Sequence, residues 1–431
     1  MSSNSKREIS ASSPIRVGCV GGGQLGRMMA LEAPRLGIDM KFLDPLGPEC
    51  PAAQVVHKEK IIQGALNDPE KLRELSTNCD VVTVEIEHVG VETLQILEQE
   101  GINIRDKFIQ KTHFQEHQIP LPPFRATPTK DAIVQAATSL GLPLMLKSRT
   151  GGYDGRGNAV LKGSSDSEID EALEKLGATG TAQMMDLYAE GWIDFECEVG
   201  VMVVRSSNGL DTDSYPAVNA IQQDSICRVV LAPARHVSAE IRHECEEIAK
   251  KAIASLGEGA SGMFGVELFV TKGGTVLLNE IAPRPHNTGH YTQDACAVSQ
   301  FENHLRGVCG MVLGSTKMVV EAAAMVNVLG AASGTAEDTL KSSNAALAMP
   351  GTTVHWYGKV ECRPGRKMGH INVTGSSHSD VDVQLSELLA LESIPVSLMP
   401  GGRLFCSPVV GVIMGSHSDL PTMNAAVDIL K

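Results

Sequence analysis

The order of apolar and polar positions separates the chain into alternating short runs. Ile15 to Val20 is an apolar run that stops at three glycines, the pattern of a buried strand. Leu25, Met28, Met29 and Leu36 then recur at helical spacing and predict a helix from Gln24 to Leu36. Met40 to Leu43 is the next strand, closed by Asp44-Pro45, and Val81 to Ile86 is another. Strands alternating with helices predict a parallel sheet covered by helices.

Gly101 to Pro128 reads as a junction, with several charges and then Pro120, Pro122, Pro123 and Pro128. An α+β region follows to about residue 304. It holds a strand from Leu144 to Lys147 and two apolar strands, Met263 to Val270 and Thr275 to Ile281. Beyond it come a helix around Gln300 to Val312 and strands at Ala323 to Leu329 and Val354 to Tyr357. Ser376 to Pro400 has no clear period. Val409 to Met414 is a fresh strand, with a helix starting near Leu420, and no internal repeat is visible.

At 431 residues the chain suggests about three domains. Aromatics are only 4%, so the cores must be built from Ala, Val, Leu, Ile and Met. The formal charge of -14 and the lack of a basic stripe argue against a nucleic-acid partner. An acidic enzyme acting on anions must gather its Lys and Arg locally. The ten cysteines include no Cys-x-x-Cys pair, which argues against a zinc knuckle and suits a reducing cytosol. No apolar run would span a bilayer. The Ser-rich start, with Lys6, Arg7 and Glu8, lacks the apolar stretch of a secretory signal and reads as a disordered tail over residues 1–14.

Gly21-Gly22-Gly23-Gln24-Leu25-Gly26 matches G-x-G-x-x-G between a strand and a helix, and Asp44 stands near the usual acidic position. Taken alone this reads as an NAD site. A structural turn or a site for a different phosphate gives the same pattern. A second glycine loop, Gly151-Gly152-Tyr153-Asp154-Gly155-Arg156-Gly157, follows Lys147. Exposed backbone N–H groups beside a point charge suit a polyphosphate cradle. It lacks the Gly-Lys-Ser/Thr of a P-loop.

The sharper signal is the hairpin around Thr271-Lys272-Gly273-Gly274. A two-residue Gly273-Gly274 turn sets Lys272 opposite Thr275, Phe269 opposite Leu278 and Glu267 opposite Glu280. Facing carboxylates repel. Either they point to water, or a divalent cation lies between them; Mg²⁺ favours few carboxylates plus phosphate oxygens. Asn279-Glu280-Ile281-Ala282-Pro283-Arg284-Pro285-His286-Asn287 then places a cation, an imidazole and an amide just beyond, suited to bicarbonate or a transferring phosphoryl group.

The segments GGGQLGRMMA, VTVEIEHV, LKSRTGGYDGRGNAV, VELF, LLNEIAPRPHNTGHYT, VHWYGK and RPGRKMGH together resemble carboxyaminoimidazole ribonucleotide synthetase, an ATP-grasp enzyme, over roughly Ile15 to Val373. The form fused to a second enzyme, the fungal and plant phosphoribosylaminoimidazole carboxylase, is the most similar. The resemblance implies a three-part ATP-grasp architecture of α/β and α+β type. Its parts are an N-terminal α/β pre-ATP-grasp domain (15–113), the ATP-grasp domain (114–304) and a small β-rich C-terminal domain (305–375). A linker (376–407) and the first βα unit of a further α/β domain (408–431) follow. There, Gly415-Ser416-His417-Ser418-Asp419 resembles the start of a mutase domain in which Ser416 and Asp419 bind the ribonucleotide, so the chain is expected to be a fragment of a two-enzyme protein.

The resemblance also assigns roles. Gly152 to Asn158, with Tyr153, Gly155, Arg156 and Gly157, would close over ATP phosphates contacted by Lys147 and Lys107. Glu190-Gly191-Trp192-Ile193 would hold adenine, Glu198 and Gln222 would meet the nucleotide, and Asn279 would lie beside it. Glu267 and Glu280 match Mg²⁺ ligands, with Mn²⁺ as an alternative ion. Gln24, Leu25, Glu85, Tyr153, Asp154 and Arg156 would face 5-aminoimidazole ribonucleotide, and Lys359 and Arg366 its phosphate. Arg284, His286 and Asn287 would form the centre with Asp154, the candidate for removing the amine proton. Two positions depart from the family. Lys107 replaces an Arg, keeping charge but losing the bidentate fork, and Gln222 replaces a His and carries no charge. The implied reaction is ATP-dependent carboxylation of the ribonucleotide with bicarbonate in purine synthesis, by a cytoplasmic homodimer with no nucleic-acid or membrane partner. A formate-dependent transformylase and an NAD oxidoreductase are the alternatives.

Overall fold

The computed structural model describes residues 7–9, 13–86, 106–150, 157–178, 185–209, 211–257 and 259–404. Among these the strands form three sheets. The first is parallel, with strands β1 (Ile15–Val20), β2 (Ile38–Asp44), β3 (Ile61–Gln63) and β4 (Val81–Val84) in the order β3-β2-β1-β4. The second is small and antiparallel, with β5 (Phe124–Ala126), β6 (Leu144–Ser148), β7 (Asn158–Leu161) and β8 (Leu187–Gly191) in the order β5-β8-β6-β7. The third holds β9 (Phe195–Arg205), β10 (Thr212–Ser214), β11 (Val218–Gln223), β12 (Ile226–Ala232), β13 (Gly262–Thr271), β14 (Val276–Ala282), β15 (Ala322–Leu329), β16 (Thr352–Trp356) and β17 (Lys367–Gly375). Its main path runs β14-β13-β9-β11-β12-β15-β17-β16, with β10 on β9.

The expected parallel sheet and the α+β region are present. Several local expectations change. The helix from Gln24 ends at Glu32, and a tighter 3₁₀ turn covers Ala33–Leu36. Pro34 lacks an N–H, so the α ladder cannot continue through it. The helix from Gln300 ends at Val308, where Gly310 takes a left-handed φ of 69°. The junction contains a helix, Lys107–Glu116, whose first N–H groups are capped by Asp106. Asp106 also binds Arg149 of the β6 end, so the cap fixes this helix against the small sheet.

The described part of the expected linker, residues 376–404, carries a packed helix. Ser377 caps a helix over His378–Leu391, and Val381, Leu385, Leu388 and Leu389 bury one face on β12, β15 and β17. These positions follow a helical period that the surrounding polar residues obscure. Two salt bridges fasten the layer, Arg235–Asp382 at 2.6 Å and Arg228–Glu392 at 3.1 Å. The strands expected for a separate C-terminal unit join the large sheet directly, since β15 pairs with β12 in antiparallel register. Within the expected tail, Arg7 is not free: its N–H donates to the Gly310 carbonyl at 3.0 Å, in an isolated bridge with Met311. The strand and helix expected after Val409 lie outside the described residues.

The first and third sheets meet around the helix Gln300–Val308. Phe301 and Leu305 pack with Met28, Met29 and Phe42 in one core. His304 on this helix is fully buried and links both sheets. Its Nδ1 accepts the Met263 N–H of β13 at 3.1 Å, so Nε2 carries the proton and donates to Thr83 Oγ1 of β4 at 2.8 Å. Burial pushes its pKa down to about 4. An unfolded histidine titrates near about 6.5. Between these values the unfolded chain takes up the proton and the folded one does not. Stability is therefore present above the unfolded value and is lost as the pH falls toward about 4, by roughly 3 kcal/mol from this residue. Replacing His304 with Gln is expected to flatten the acid side of the stability curve by up to one proton, measured by urea unfolding across the pH range. An unchanged slope would show that the imidazole does not titrate with unfolding.

Candidate active site

The first glycine loop is filled by the protein itself. Glu85, just past β4, accepts the backbone N–H groups of Gly23 and Gly26. Asp44, ending β2, accepts the N–H groups of Gly22 and Leu46, both at 2.8 Å. A Cβ on Gly23 would stand 2.5 Å from Glu85 Oε1, so only glycine allows this approach. Burial pushes the Glu85 carboxyl up, and the two N–H donors oppose it. In a dinucleotide site those N–H groups hold pyrophosphate and the acid holds a ribose. Here a pyrophosphate would meet the Glu85 carboxylate, which removes the nicotinamide reading. Both oxygens of Glu85, the residue expected to face the ribonucleotide, brace this loop. The Leu25 side chain joins the core with Met28, which leaves its backbone as the part that can meet a ligand.

Glu267 and Glu280 do stand opposite each other. The route to that register differs from the expected count. Thr271, not Lys272, faces Thr275, through a three-residue turn in which Gly274 has a φ of 79°. Leu268 therefore faces Leu278, and Phe269 faces Leu277. The register then shifts between Glu267 and Leu268, which leaves Asn279 as the extra residue of a bulge. The bulge cancels the longer turn and restores the carboxylate pair.

Burial, then Glu280 and Glu198, push Glu267 up to about 8. Burial would raise Glu280 as well, but Lys107, 2.8 Å away, and Lys147 hold it below the usual carboxylate range. One carboxyl keeps a proton while its partner is ionised. A hard divalent cation can replace that proton. No group of three or more His, Cys, Asp or Glu able to hold a metal occurs among the described residues. Two carboxylates with open positions for phosphate oxygens are a donor set that Mg²⁺ accepts.

Beside this pair lies a buried ion triad. Glu190 of β8 takes Lys111 on one oxygen and Lys147 on the other, each at 2.6 Å. Burial would raise its pKa, yet Lys111 and Lys147 hold it at about 2. Lys111 also donates to the Asn279 carbonyl at 3.0 Å, and Lys147 to Asn279 Oδ1 at 3.3 Å. The bulged residue thus ties the carboxylate hairpin to both lysines. Lys111 was missed in the sequence, although Lys107 and Lys111 stand one helical turn apart and share a face. Lys107 itself is engaged with Glu280.

The strand end Gly191, Trp192 and Ile193 continues from Glu190, and Trp192 is half exposed. Glu198 of β9 is hydrogen-bonded by Gln222, so the uncharged residue at that position still reaches this carboxyl. Phe195 and Phe269 stack at 4.7 Å between ring centres, and Phe269 is the cross-strand partner of Glu198. Asn158 pairs with Lys147 across β7 and β6, and the Gly157 carbonyl accepts the Ser148 N–H at 2.8 Å. Gly152, Tyr153, Asp154, Gly155 and Arg156 lie outside the described residues, as do Ser416 and Asp419.

Beyond β14, His286 is partly buried, with Nε2 3.6 Å from Glu267 Oε1 and Nδ1 2.9 Å from Thr288 Oγ1. Burial, then Arg284 and Lys367, push its pKa well down, so the imidazole is neutral. Arg284 donates to the Pro285 carbonyl at 3.1 Å. The Asn287 amide, expected at the centre, is paired within the protein. It and Asn327 of β15 exchange two amide hydrogen bonds, at 3.0 and 2.5 Å, in a buried pair. That pairing makes Asn287 a fastener between the hairpin end and the sheet.

The two cations expected at the ribotide phosphate come from one bend. Lys359 Nζ donates to Gln24 Oε1 and to the Lys367 carbonyl, each at 2.6 Å. Arg366 precedes Lys367 and donates to the Glu361 carbonyl at 3.1 Å. Gln24 and Lys359 therefore join the N-terminal loop to the C-terminal strands.

Three family descriptions match in order. They are a ribonucleotide synthetase preATP-grasp domain over residues 15–107, an ATP-grasp domain over 112–301, and a phosphoribosylaminoimidazole carboxylase C-terminal domain over 323–384. A phosphoribosylaminoimidazole carboxylase of Saccharomyces cerevisiae is 41% identical, covering 96% of this chain and 74% of its own length. An N5-carboxyaminoimidazole ribonucleotide synthase of Synechococcus elongatus is 37% identical, covering 88% of this chain and 95% of its own. A crystal structure of N5-carboxyaminoimidazole synthase from Aspergillus clavatus, in complex with ADP and 5-aminoimidazole ribonucleotide, superposes with a TM-score of 0.80 at 36% identity. It covers 88% of this chain and 99% of that one.

Proposed function

This chain belongs to the N5-carboxyaminoimidazole ribonucleotide synthase family of ATP-grasp ligases, and from that premise we propose how its residues divide the work. It is an ATP-dependent enzyme of purine biosynthesis that carboxylates 5-aminoimidazole ribonucleotide. The observation that carries the residue assignment is the hairpin pair Glu267 and Glu280, joined through Asn279 to Lys111 and Lys147.

In this proposal Lys147 and Lys107 meet the ATP phosphates, and the backbone from Glu190 to Ile193 holds adenine. A bicarbonate oxygen attacks the γ-phosphorus, the bond to the β-phosphate oxygen breaks, and ADP leaves carboxyphosphate behind. Glu267 and Glu280 would hold Mg²⁺, which supplies positive charge across the phosphates as negative charge moves onto ADP. Arg284 donates to the carboxyphosphate oxygens, and neutral His286 can donate without adding a second buried cation. Carboxyphosphate then splits to CO₂ and phosphate. The exocyclic amine attacks CO₂, forming a nitrogen carbamate, and its proton passes to Asp154. Lys359, Arg366 and Gln24 take the ribotide phosphate, so that the amine is held at the reacting carbon. The enzyme is taken as cytoplasmic and homodimeric. No helix among the described residues is long and apolar enough to cross a membrane.

The test is an ADP-release assay with the four combinations of bicarbonate and ribonucleotide. Release is expected to need bicarbonate and to rise with ribonucleotide. Labelled bicarbonate should appear in an acid-labile carbamate. Release supported equally by formate without bicarbonate would instead favour the transformylase reading.

A further inference from the structure

We propose that Gln300 is a positioning residue for His286, clamping the imidazole's backbone so that its ring faces the Glu267 carboxylate. The proposal rests on the reading that His286 belongs to the reacting centre.

His286 lies past the end of β14, where no strand ladder holds its backbone. Gln300, the first residue of the helix Gln300–Val308, supplies an acceptor for the His286 N–H and a second donor to its carbonyl, which also accepts the Gly289 N–H at 3.0 Å. Its Oε1 accepts the His286 N–H at 3.0 Å, and its Nε2 donates to the His286 carbonyl at 2.8 Å. The same Nε2 reaches His290 Nδ1 at 2.9 Å. Both amide protons and the amide oxygen are thus used. A flipped amide would set oxygen against oxygen at the His286 carbonyl, so the orientation is fixed. His290 must then carry its proton on Nε2. Gln300 is fully buried, and its own N–H is taken by Thr292 Oγ1 at 2.9 Å.

Two further contacts complete the seat. Thr288 Oγ1 binds His286 Nδ1 at 2.9 Å, which sets the ring rotation. A Cβ on Gly265 would stand 2.4 Å from His286 Cβ, so the histidine lies directly on the backbone of β13. Glu267 follows Gly265 by two residues on the same strand and the same face. The seat therefore aligns the imidazole with the carboxylate by construction. The amide also anchors that alignment to the helix Gln300–Val308, which carries His304 between the first and third sheets.

Loss of the clamp should cost turnover more than binding. Gln300→Leu keeps volume and removes all three contacts. Its kcat for bicarbonate-dependent ADP release is expected to fall on the order of 100-fold, with apparent KM for ATP and ribonucleotide changing less than about threefold. Gln300→Glu retains the shape. As a carboxylate it accepts the His286 N–H but repels the carbonyl; once protonated it donates again. Its turnover relative to the unaltered enzyme is expected to recover as the pH falls from about 8 to about 6, while Gln300→Leu shows no recovery. His290 is the titratable side chain that faces the introduced carboxyl, so the profile is repeated with His290→Asn added. The same recovery there would confirm that the carboxyl titrates. Recovery abolished by the added change would overturn the clamp as its source.

His286→Ala separates the two readings. If it retains full turnover, the assignment of His286 fails. If it loses turnover while folded Gln300→Leu stays within about threefold of normal, the positioning role is overturned and the site stands. Should Gln300→Leu fail to fold, a flat relative pH profile for Gln300→Glu overturns the proposal by itself.

Discussion

Glu280→Gln is expected to lower bicarbonate-dependent ADP release at least about tenfold in saturating Mg²⁺, the equivalent of roughly 1.4 kcal/mol of barrier. The amide keeps the size of the side chain and its bond to Lys107, but removes one of the two charges facing a divalent cation. Folding should survive, because the change relieves the carboxylate pair when no cation is bound. The sign can be followed through Glu267. Its pKa of about 8 in the folded chain lies above the ordinary value of 4.5. The folded chain therefore holds a proton that the unfolded chain gives up. That stabilisation is full below 4.5 and is lost as the pH rises through about 8. In Glu280→Gln the neighbouring charge is gone, so the loss of stability toward alkaline pH without divalent cation should be shallower. Thermal unfolding in chelator across that range measures it. Near-normal ADP release would remove Glu280 from the metal site.

The second large effect is on stability. Glu190→Leu should destabilise the chain by about 3–5 kcal/mol, because Lys111 and Lys147 would be left as buried charges without their counterion. Lys111→Met should cost clearly less, since Glu190 retains Lys147 at 2.6 Å. Urea midpoints for the two variants give the order directly. The acid dependence follows from the same triad. Glu190 is held at about 2, below the ordinary 4.5, so its contribution is present above 4.5 and is lost as the pH falls toward about 2. Glu190→Leu should lack that portion of the acid loss. If Lys111→Met proves the more damaging change, the carboxylate does not hold the two lysines.

Much of this was readable from local pattern. The strand at Ile15 and the carboxylate pair follow from apolar runs and a glycine turn, both short-range signals. The hairpin shows the limit of such counting. A longer turn at Thr271 and a bulge at Asn279 offset one another, so the expected pairing was right at Glu267 and wrong at Phe269. Bulges depend on what the extra residue meets, and Asn279 meets two lysines from other elements. The helix His378–Leu391 was hidden because its apolar face is narrow and shows only once β12, β15 and β17 lie under it. Lys111, Asn327 and Gln300 read as ordinary polar residues. Their partners are distant in sequence, and burial rather than residue type gives them weight. The first glycine loop is ambiguous for the opposite reason. Its local signature was complete, but Glu85 satisfies the N–H groups that the signature would offer to a cofactor.

The ladder between β12 and β15 has a consequence for any attempt to divide the molecule. Val229, Val230, Leu231 and Ala232 pair with Val326, Met325, Ala324 and Ala323, and all eight are buried. A chain cut between the ATP-grasp and C-terminal family regions would turn β12 into an open edge with unpaired backbone, apolar on both faces. Such an edge recruits strands from other molecules. The boundary between the two family regions is therefore not a place to cut, since the chain on its two sides shares one hydrogen-bonded ladder.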